Sequence, residues 1–369
     1  MEWAGAFGDL GTLVPFVVAY IAVLRIDPFG ILFAFGCALV ICGLYYKTPF
    51  PVQPMKAIGA AAITQAAQTA TITQGAVYGA GLASGLIWLV LGLTGAATYL
   101  AKRVPRPIVI GIVLGLGLSF MLEGIKMMSS GWLIAAVALV GTLLLLTNRA
   151  IPAMFLLLLF GAICGIVQNP AIVHALLDIR FEFHVPHLVL LSLSWHEFLV
   201  GTLFLALPQL PLTLGNAVIV TCEENNRLFP DRPVTERTVA LSTGLMNVAA
   251  SAVGGVPMCH GAGGMAGHVA FGARTGGAPI ILGMILLGAA LFLSGSIEVL
   301  FTIFPRPVLG VILFMTGAQL ALGSCDFSKN KPERFITLVT AAFAMWNVGL
   351  AFLLGLTLAY LAKRGLLRL

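Results

Sequence analysis

Apolar stretches long enough to cross a lipid bilayer recur from one end of this chain to the other. We count about fourteen in 369 residues, or about 26 residues for each stretch with its loop, where a helix needs about 20 to span the hydrocarbon core. Several crossings must therefore be short or broken. A backbone in that core must satisfy its own hydrogen bonds. The pattern predicts an all-α, polytopic membrane protein.

Charged residues are scarce and unevenly placed. Only 9% of residues are charged, 59% are hydrophobic, and the mean hydropathy is +1.03. If the N-terminus is cytoplasmic, 15 of the 20 lysines and arginines fall on the cytoplasmic side and 4 on the other. The positive-inside rule predicts this bias, so the net charge of +6 indicates topology and not nucleic-acid binding. We expect both termini in the cytoplasm, at the cytoplasmic (inner) membrane. Twelve spans stay an alternative, because only Trp346 and Asn347 separate the last two stretches.

The cysteines and the N-terminal sequence give no sign of a metal site, a disulfide or a cleavable signal. The six cysteines lie mostly within predicted spans and form no C-x-x-C pair, which argues against structural disulfides and zinc. No cleavable signal peptide precedes the first span. We expect no metal site and no cofactor; whether a proton or a cation is coupled to the function stays open.

Two proline-containing segments interrupt the apolar pattern in the same way. FPVQPMKAIG occupies 50–59, and GVPMCHGAGG occupies 255–264. Each is an extended run that turns into a helix of small residues, with Lys56 or His260 at the turn. Unpaired amides in lipid cost several kcal/mol each, so such a break needs a reason. Broken helices of this kind form the substrate sites of many transporters.

Both breaks are expected near the middle of the bilayer. An extended run over 51–55 descends about 16 Å, and a helix from Lys56 to Gln68 then covers about 18 Å. A helix from His260 to Arg274 covers about 21 Å in the opposite direction. Two helix N-termini would face each other, and their free N–H groups and positive dipole ends favour an anion.

The chain also repeats itself. Pro-Arg-Pro occurs at 105–107 and 305–307, an offset of 200, and the Pro-Met pairs at 54–55 and 257–258 are offset by 203. Seven spans per half is an odd number, so the two halves must insert in opposite orientations. Inverted repeats with broken helices are typical of secondary transporters.

Five longer motifs carry a resemblance to a known family. They are GAFGDLGTLVP at 5–15, PVQPMKAI at 51–58, LPQLPLTLGNAV at 207–218, TERTVALSTGLMN at 235–247 and VPMCHGAGGMAG at 256–267. Through them the chain resembles the molybdate transporter family, a branch of the sulfate permease superfamily, over nearly its whole length. The resemblance implies a uracil-permease-like fold of seven plus seven inverted spans, with substrate between broken spans 3 and 10.

The same resemblance implies two domains that move against each other. We expect a core domain of residues 1–101 and 196–303 and a gate domain of residues 104–175 and 304–365. A homodimer in the lipid bilayer is left open.

Candidate substrate ligands come first from the two breaks. A lysine as deep as Lys56 is costly and functional by default; it would balance a dianion, or else pair structurally with Asp9. His260 either donates to an oxyanion or is neutral and hydrogen-bonded. Gln53 either binds substrate or satisfies loose amides at the break. The remaining predicted ligands at the breaks are Met55, Ala57, Cys259, Gly261, Ala262 and Gly263.

Three further polar residues lie in other predicted spans. Asp9, in the first span, either pairs with Lys56, carries a coupling proton or caps a helix. Gln209 and Asn216, in the eighth span, either line the site or hold helices together.

The predicted function is secondary active transport of a tetrahedral oxyanion by alternating access, with molybdate as the first choice. Sulfate has the same charge and shape and stays the alternative, followed by an anion channel. A nucleobase is disfavoured, because His260 stands where a carboxylate partner is expected. An intramembrane enzyme would need Cys259 and His260 as nucleophile and base. Adjacent residues at a helix start point in different directions, so we predict no enzyme.

Overall fold

The computed structural model describes residues 2–64, 72–101, 103–145, 153–177, 181–270, 272–297, 303–322, 324, 328 and 330–366. Most of these residues are helical. The elements of the first half are α1 (Glu2–Ala6), a 3₁₀ turn (Phe7–Asp9), α2 (Leu10–Leu24), α3 (Pro28–Tyr46), β1 (Gln53–Pro54), α4 (Lys56–Thr64), α5 (Gln74–Leu93), α6 (Ala96–Ala101), α7 (Arg106–Met128), α8 (Trp132–Leu145), α9 (Ala153–Gln168) and α10 (Ala171–Leu177).

The second half repeats a helical pattern interrupted by one short strand. Its elements are a 3₁₀ turn (Val189–Ser192), α11 (Trp195–Leu228), α12 (Glu236–Ala252), β2 (Met258–Cys259), α13 (Ala262–Ala270), α14 (Gly277–Leu293), a 3₁₀ turn (Ser294–Ser296), α15 (Arg306–Leu322), α16 (Lys331–Ala344) and α17 (Val348–Lys363). The strands β1 and β2 pair antiparallel, so the two halves of the chain meet at this sheet.

Several helices have the length and composition of membrane spans. Within the described ranges, five are long and apolar enough to cross a bilayer: α3, α5, α7, α11, and α14 with the turn after it. Shorter apolar helices lie within α2, α8, α9, α15 and α17. Large side chains such as Leu133 and Leu144 are exposed, at 80% and 75%, as expected for a surface that faces lipid. The count of fourteen spans stays a prediction.

Local sequence signals fix where many helices begin. Pro28 is the first residue of α3, and Asp27 before it accepts a hydrogen bond from the N–H of Phe29 at 3.0 Å. Ser194 and Glu197 form a capping box at the start of α11. Both patterns satisfy N–H groups that a helix start leaves unpaired.

Helix α11 departs from regular α-helical geometry on both sides of Gln209. Residues 201–206 and 213–220 are π-helical, and Pro208 and Pro211 lie between them. Proline removes a backbone donor, and π-helical segments are frequent at functional sites.

Among the described residues, the most extensive helix pairing is between the two helices that follow the Pro-Arg-Pro repeats. Helices α7 and α15 begin at Arg106 and Arg306 and pack along each other. A methyl group on Gly117 would lie 2.8 Å from the carbonyl oxygen of Gly317, and one on Gly317 would lie 2.5 Å from that of Gly117. Glycines 200 residues apart thus face each other, and their lack of a side chain allows the backbones to touch.

Candidate functional site

The two proline-containing breaks pair with each other. Gln53 lies opposite Cys259 and Pro54 opposite Met258, and the N–H of Met55 donates to the carbonyl of Pro257 at 2.8 Å. Backbone groups that a broken helix would leave unpaired are satisfied across the pair. Because the strands are antiparallel, the chain leaves them in opposite directions, so α4 and α13 begin at the two ends of one small sheet.

Asn247 on α12 anchors the second strand. Its Oδ1 accepts from the N–H of Met258 at 2.9 Å, while its Nδ2 donates to the carbonyls of Met258 at 2.6 Å and Thr243 at 2.7 Å. The sequence contained this asparagine within a motif but gave it no role. An asparagine in an apolar stretch shortly before Pro257 was the available signal.

The N-terminus of α4 is covered by Gln209. Its Oε1 accepts from the N–H of Ala57 at 2.8 Å and of Ile58 at 3.2 Å, and its Nε2 donates to Thr213 Oγ1 at 3.0 Å. A carboxamide oxygen therefore occupies the position in which a helix N-terminus would hold an anion.

The N-terminus of α13 is open by contrast. Within the described part of the chain, the N–H groups of Gly261, Ala262 and Gly263 have no acceptor. Gly263 is exposed, and a methyl group added there would meet nothing within 4 Å. Asn216 Nδ2 lies close by, 3.3 Å from where a methyl group on Gly261 would be. The start of α13 thus combines free backbone donors with accessible space at Gly263 and an amide donor close by.

Lys56 is the first residue of α4 and is 2% exposed. Among the described residues, its Nζ forms no hydrogen bond and no ion pair within 4 Å, so the suggested structural pair with Asp9 is not a direct contact. Asp9 and the thiol of Cys259 are still near enough to interact with it electrostatically. The fold therefore buries a lysine amine without a direct counter-ion next to the strand pair.

Asp9 and Gln53 form a hydrogen-bonded cluster with Thr12. Asp9 Oδ1 accepts from Gln53 Nε2 and, at 2.6 Å, from Thr12 Oγ1; Gln53 Nε2 also reaches Thr12 Oγ1 at 2.8 Å. Gln53 Oε1 has no partner among the described residues and lies against Gly261. Gln53 thus connects Asp9 to the open end of α13.

His260 is engaged at both ring nitrogens. Nδ1 lies 2.8 Å from the carbonyl of Pro51, and Nε2 lies 2.7 Å from Ser242 Oγ, which in turn contacts Tyr46 Oη at 2.7 Å. The ring also packs edge-on against Phe50. His260 is therefore hydrogen-bonded, as in one of the two alternatives that the sequence left open; its neutral state and its donation to an oxyanion stay predictions.

The structure brings the predicted site residues into one region. Met55 is fully buried between the strand pair and α4, and Cys259 lies across from Gln53. A cleft of about 440 Å³ lies elsewhere, beside Lys47, Arg232 and Arg274. His268, which the sequence did not single out, contacts the cluster through Asp9.

Two solved structures define the class of fold. The transmembrane domain of the cyanobacterium bicarbonate transporter BicA superposes with a TM-score of 0.67 at 14% identity, covering 97% of this chain and 96% of that one. The murine Slc26a9 anion transporter, in an inward-facing state, gives 0.72 at 13% identity, covering 98% and 68%. The protein has the fold of this class of multi-pass membrane transporters, as the sequence predicted in outline.

Sequence comparison identifies the family. Molybdate transporter 2 of Arabidopsis thaliana is 32% identical over 98% of this chain and 87% of its own length. Molybdate transporter 1 of Chlamydomonas reinhardtii is 29% identical over 96% and 90%. A family model described as "Molybdate transporter of MFS superfamily" matches residues 1–120 and 201–320. The chain belongs to this molybdate transporter family, which confirms the prediction from its motifs.

Membership of this family places the chain among anion transporters. The relatives are transporters and not enzymes, as predicted from the sequence. The family description mentions the MFS superfamily, whereas the fold is shared with BicA and Slc26a9.

Proposed function

We propose that the protein is a secondary active transporter that binds molybdate, a tetrahedral oxyanion, between the N-termini of α4 and α13 and moves it by alternating access. The observation that carries the proposal is the open N-terminus of α13 near the buried, uncompensated Lys56. The printed names of the relatives support molybdate as the ion.

The charges of the site suit a dianion. Each helix N-terminus acts as about half a positive charge, and Lys56 adds one, so the three sources supply about two charges. The free N–H groups of Gly261, Ala262 and Gly263, with Asn216 Nδ2, supply directed donors that replace water around the ion. The oxyanion displaces the Gln209 carboxamide from α4 to reach the donors of the other helix.

The repeat supports alternating access between two inverted halves. The two stretches that match the family model are offset by 200 residues, and so are Gly117 and Gly317, which face each other. We assign residues 1–101 and 196–303 to a core domain that holds the site and residues 104–175 and 304–365 to a gate domain. Fourteen spans, with cytoplasmic termini in the cytoplasmic membrane, complete the proposed topology.

Calorimetry on purified protein tests the site and the ion together. We expect molybdate to bind and to resist competition by equal sulfate. Lys56→Ala should weaken binding by about 100-fold, because a hydrogen bond to a charged group contributes about 1.5–3 kcal/mol. Lys363→Ala, at an exposed position, is the matched control and should bind like wild type.

The outcomes separate the alternatives. Equal or tighter sulfate binding reassigns the substrate to sulfate on the same fold. Undiminished binding by a folded Lys56→Ala protein rejects the site. Flux through proteoliposomes that does not saturate with concentration indicates a channel.

A further inference from the structure

Asp9 and His268 meet in a buried position beside the oxyanion site. Asp9 ends the 3₁₀ turn between α1 and α2, and His268 lies on α13; they are 1% and 0% exposed. Their backbones approach because Gly8 and Gly267 touch: a methyl group on Gly8 would lie 2.5 Å from the carbonyl oxygen of Gly267. Two glycines thus allow a carboxylate and an imidazole to meet inside the protein.

The hydrogen-bonding pattern of this pair is incomplete, because no hydrogen lies between His268 Nε2 and Asp9 Oδ2. His268 Nδ1 lies 2.7 Å from the carbonyl oxygen of Gly5; a carbonyl only accepts, so Nδ1 carries the hydrogen. His268 Nε2 then faces Asp9 Oδ2 at 3.9 Å, and neither atom has a hydrogen-bond partner among the described residues. A carboxylate oxygen and an imidazole lone pair that face each other at 3.9 Å inside the protein are unfavourable. One proton on either atom, with a small closure of the gap, removes the conflict.

We propose that Asp9 and His268 together bind one proton, and that this proton is taken up with the oxyanion as the coupling ion. The inference rests on the proposed function, since it names the ion that accompanies the substrate. A metal cation fits the pair poorly: hard cations need a shell of oxygen ligands, and the described residues hold no group of three or more acidic, histidine or cysteine ligands.

Charge balance links this proton to the oxyanion. The negative charge of Asp9 reduces the roughly two positive charges of the helix ends and Lys56 to about one. A proton on the pair restores the match to a dianion. Among the described residues, the other ionisable groups on elements packed against the pair include Lys56 on α4, the thiol of Cys259 on β2 and Glu2 on α1. The last turns of α11, which contact α13, add Glu223, Glu224 and Arg227, and Arg227 is paired with Glu224 at 2.6 Å. Glu2 already accepts from the N–H groups of Arg274, Thr275 and Ala278.

A series of contacts also connects the Asp9–His268 pair to the proposed oxyanion site. Asp9 Oδ1 holds Gln53 Nε2, and Gln53 Oε1 lies against Gly261 at the open end of α13. Neutralising Asp9 weakens the hydrogen bond that its Oδ1 accepts from Gln53 Nε2. The amide group of Gln53 is then free to donate to the oxyanion. Linkage then works in both directions: a bound proton raises the affinity for the oxyanion, and a bound oxyanion raises proton occupancy.

The test counts protons taken up when molybdate binds to purified wild-type protein. Titrations at neutral pH, where molybdate is fully ionised, are repeated in two buffers of different ionisation enthalpy. We expect the apparent binding enthalpy to differ between buffers by an amount that corresponds to uptake of up to about one proton per ion. Binding without proton uptake overturns the coupling proposal, whereas an absence of molybdate binding refutes the proposed function instead.

Two variants locate the proton. His268→Asn keeps a donor for the carbonyl of Gly5 but has no counterpart of Nε2, so proton uptake should disappear. His174→Asn, at an exposed histidine of α10, is the matched control and should keep it. Asp9→Asn should also abolish uptake and serves if His268→Asn does not fold. Unchanged proton uptake in either folded variant overturns the assignment to this pair.

Discussion

Gln209 shows how one uncharged side chain can satisfy a helix N-terminus. Its oxygen accepts from two buried N–H groups of α4, which would each cost about 1–3 kcal/mol if left unsatisfied. The carboxamide therefore stabilises the empty site without adding charge. A dianion can displace a neutral cap of this kind, whereas a negatively charged cap would compete with the dianion for the same N–H groups.

Replacing Gln209 by Glu should abolish oxyanion binding while preserving the fold. A carboxylate at this position accepts the same hydrogen bonds and gains from the positive end of α4 and from Lys56, but it repels the incoming dianion. We expect molybdate affinity in calorimetry to fall by more than about 100-fold, with no loss of thermal stability. Gln168→Glu, an exposed position on α9, controls for added charge. Wild-type affinity in Gln209→Glu would show that the oxyanion does not use the N-terminus of α4.

The sequence could single out Lys56, Gln53 and Asp9, because polar residues are conspicuous in apolar surroundings. It could not assign the contacts of Gln209, since its partners on α4 lie about 150 residues away in the chain. His268 gave no signal at all: a single histidine among small residues is as often a packed core residue as a functional one. Its proposed role depends on the close approach of Gly8 and Gly267, which only the fold reveals.

At the scale of elements, the strand pair is held by side chains from the helices around it. His260 connects the carbonyl of Pro51 to Ser242 on α12, and Ser242 contacts Tyr46 on α3. These bonds fasten the start of the first break to two helices. Proline and glycine made both breaks visible in the sequence, but their pairing needed the fold, since the strands are only two residues long.

Ser242→Ala tests whether His260 is a structural support. The variant removes the hydroxyl that contacts His260 and Tyr46, and we expect a stability loss of about 1–3 kcal/mol, read as a lower melting temperature in detergent. Molybdate affinity should stay within about twofold of wild type, because the helix N-termini remain in place. Ser130→Ala, at an exposed serine, should change neither. A large loss of affinity with little loss of stability would instead indicate that His260 binds the oxyanion.

At the scale of the whole molecule, the proposed transport step requires the core domain to move against the gate domain. Helix α11 of the proposed core domain meets α17 of the proposed gate domain where Pro208 lies beside Gly349. A methyl group on Gly349 would lie 3.7 Å from Pro208 Cβ, within the range of about 3.5–4.5 Å between Cβ atoms that a disulfide allows. A disulfide at this spacing can therefore link α11 to α17.

The double variant Pro208→Cys/Gly349→Cys should transport molybdate in proteoliposomes when reduced and stop when oxidised. The crosslink fixes α11 to α17, so the site can no longer be exposed alternately to the two sides. Each single variant under the same oxidant is the control and should keep transporting, and a reductant should restore flux to the double variant. Because the link lies at the domain contact, the oxidised protein should still bind molybdate in calorimetry. Undiminished transport by the crosslinked protein would mean that these two helices move together, and the boundary between core and gate would have to be redrawn.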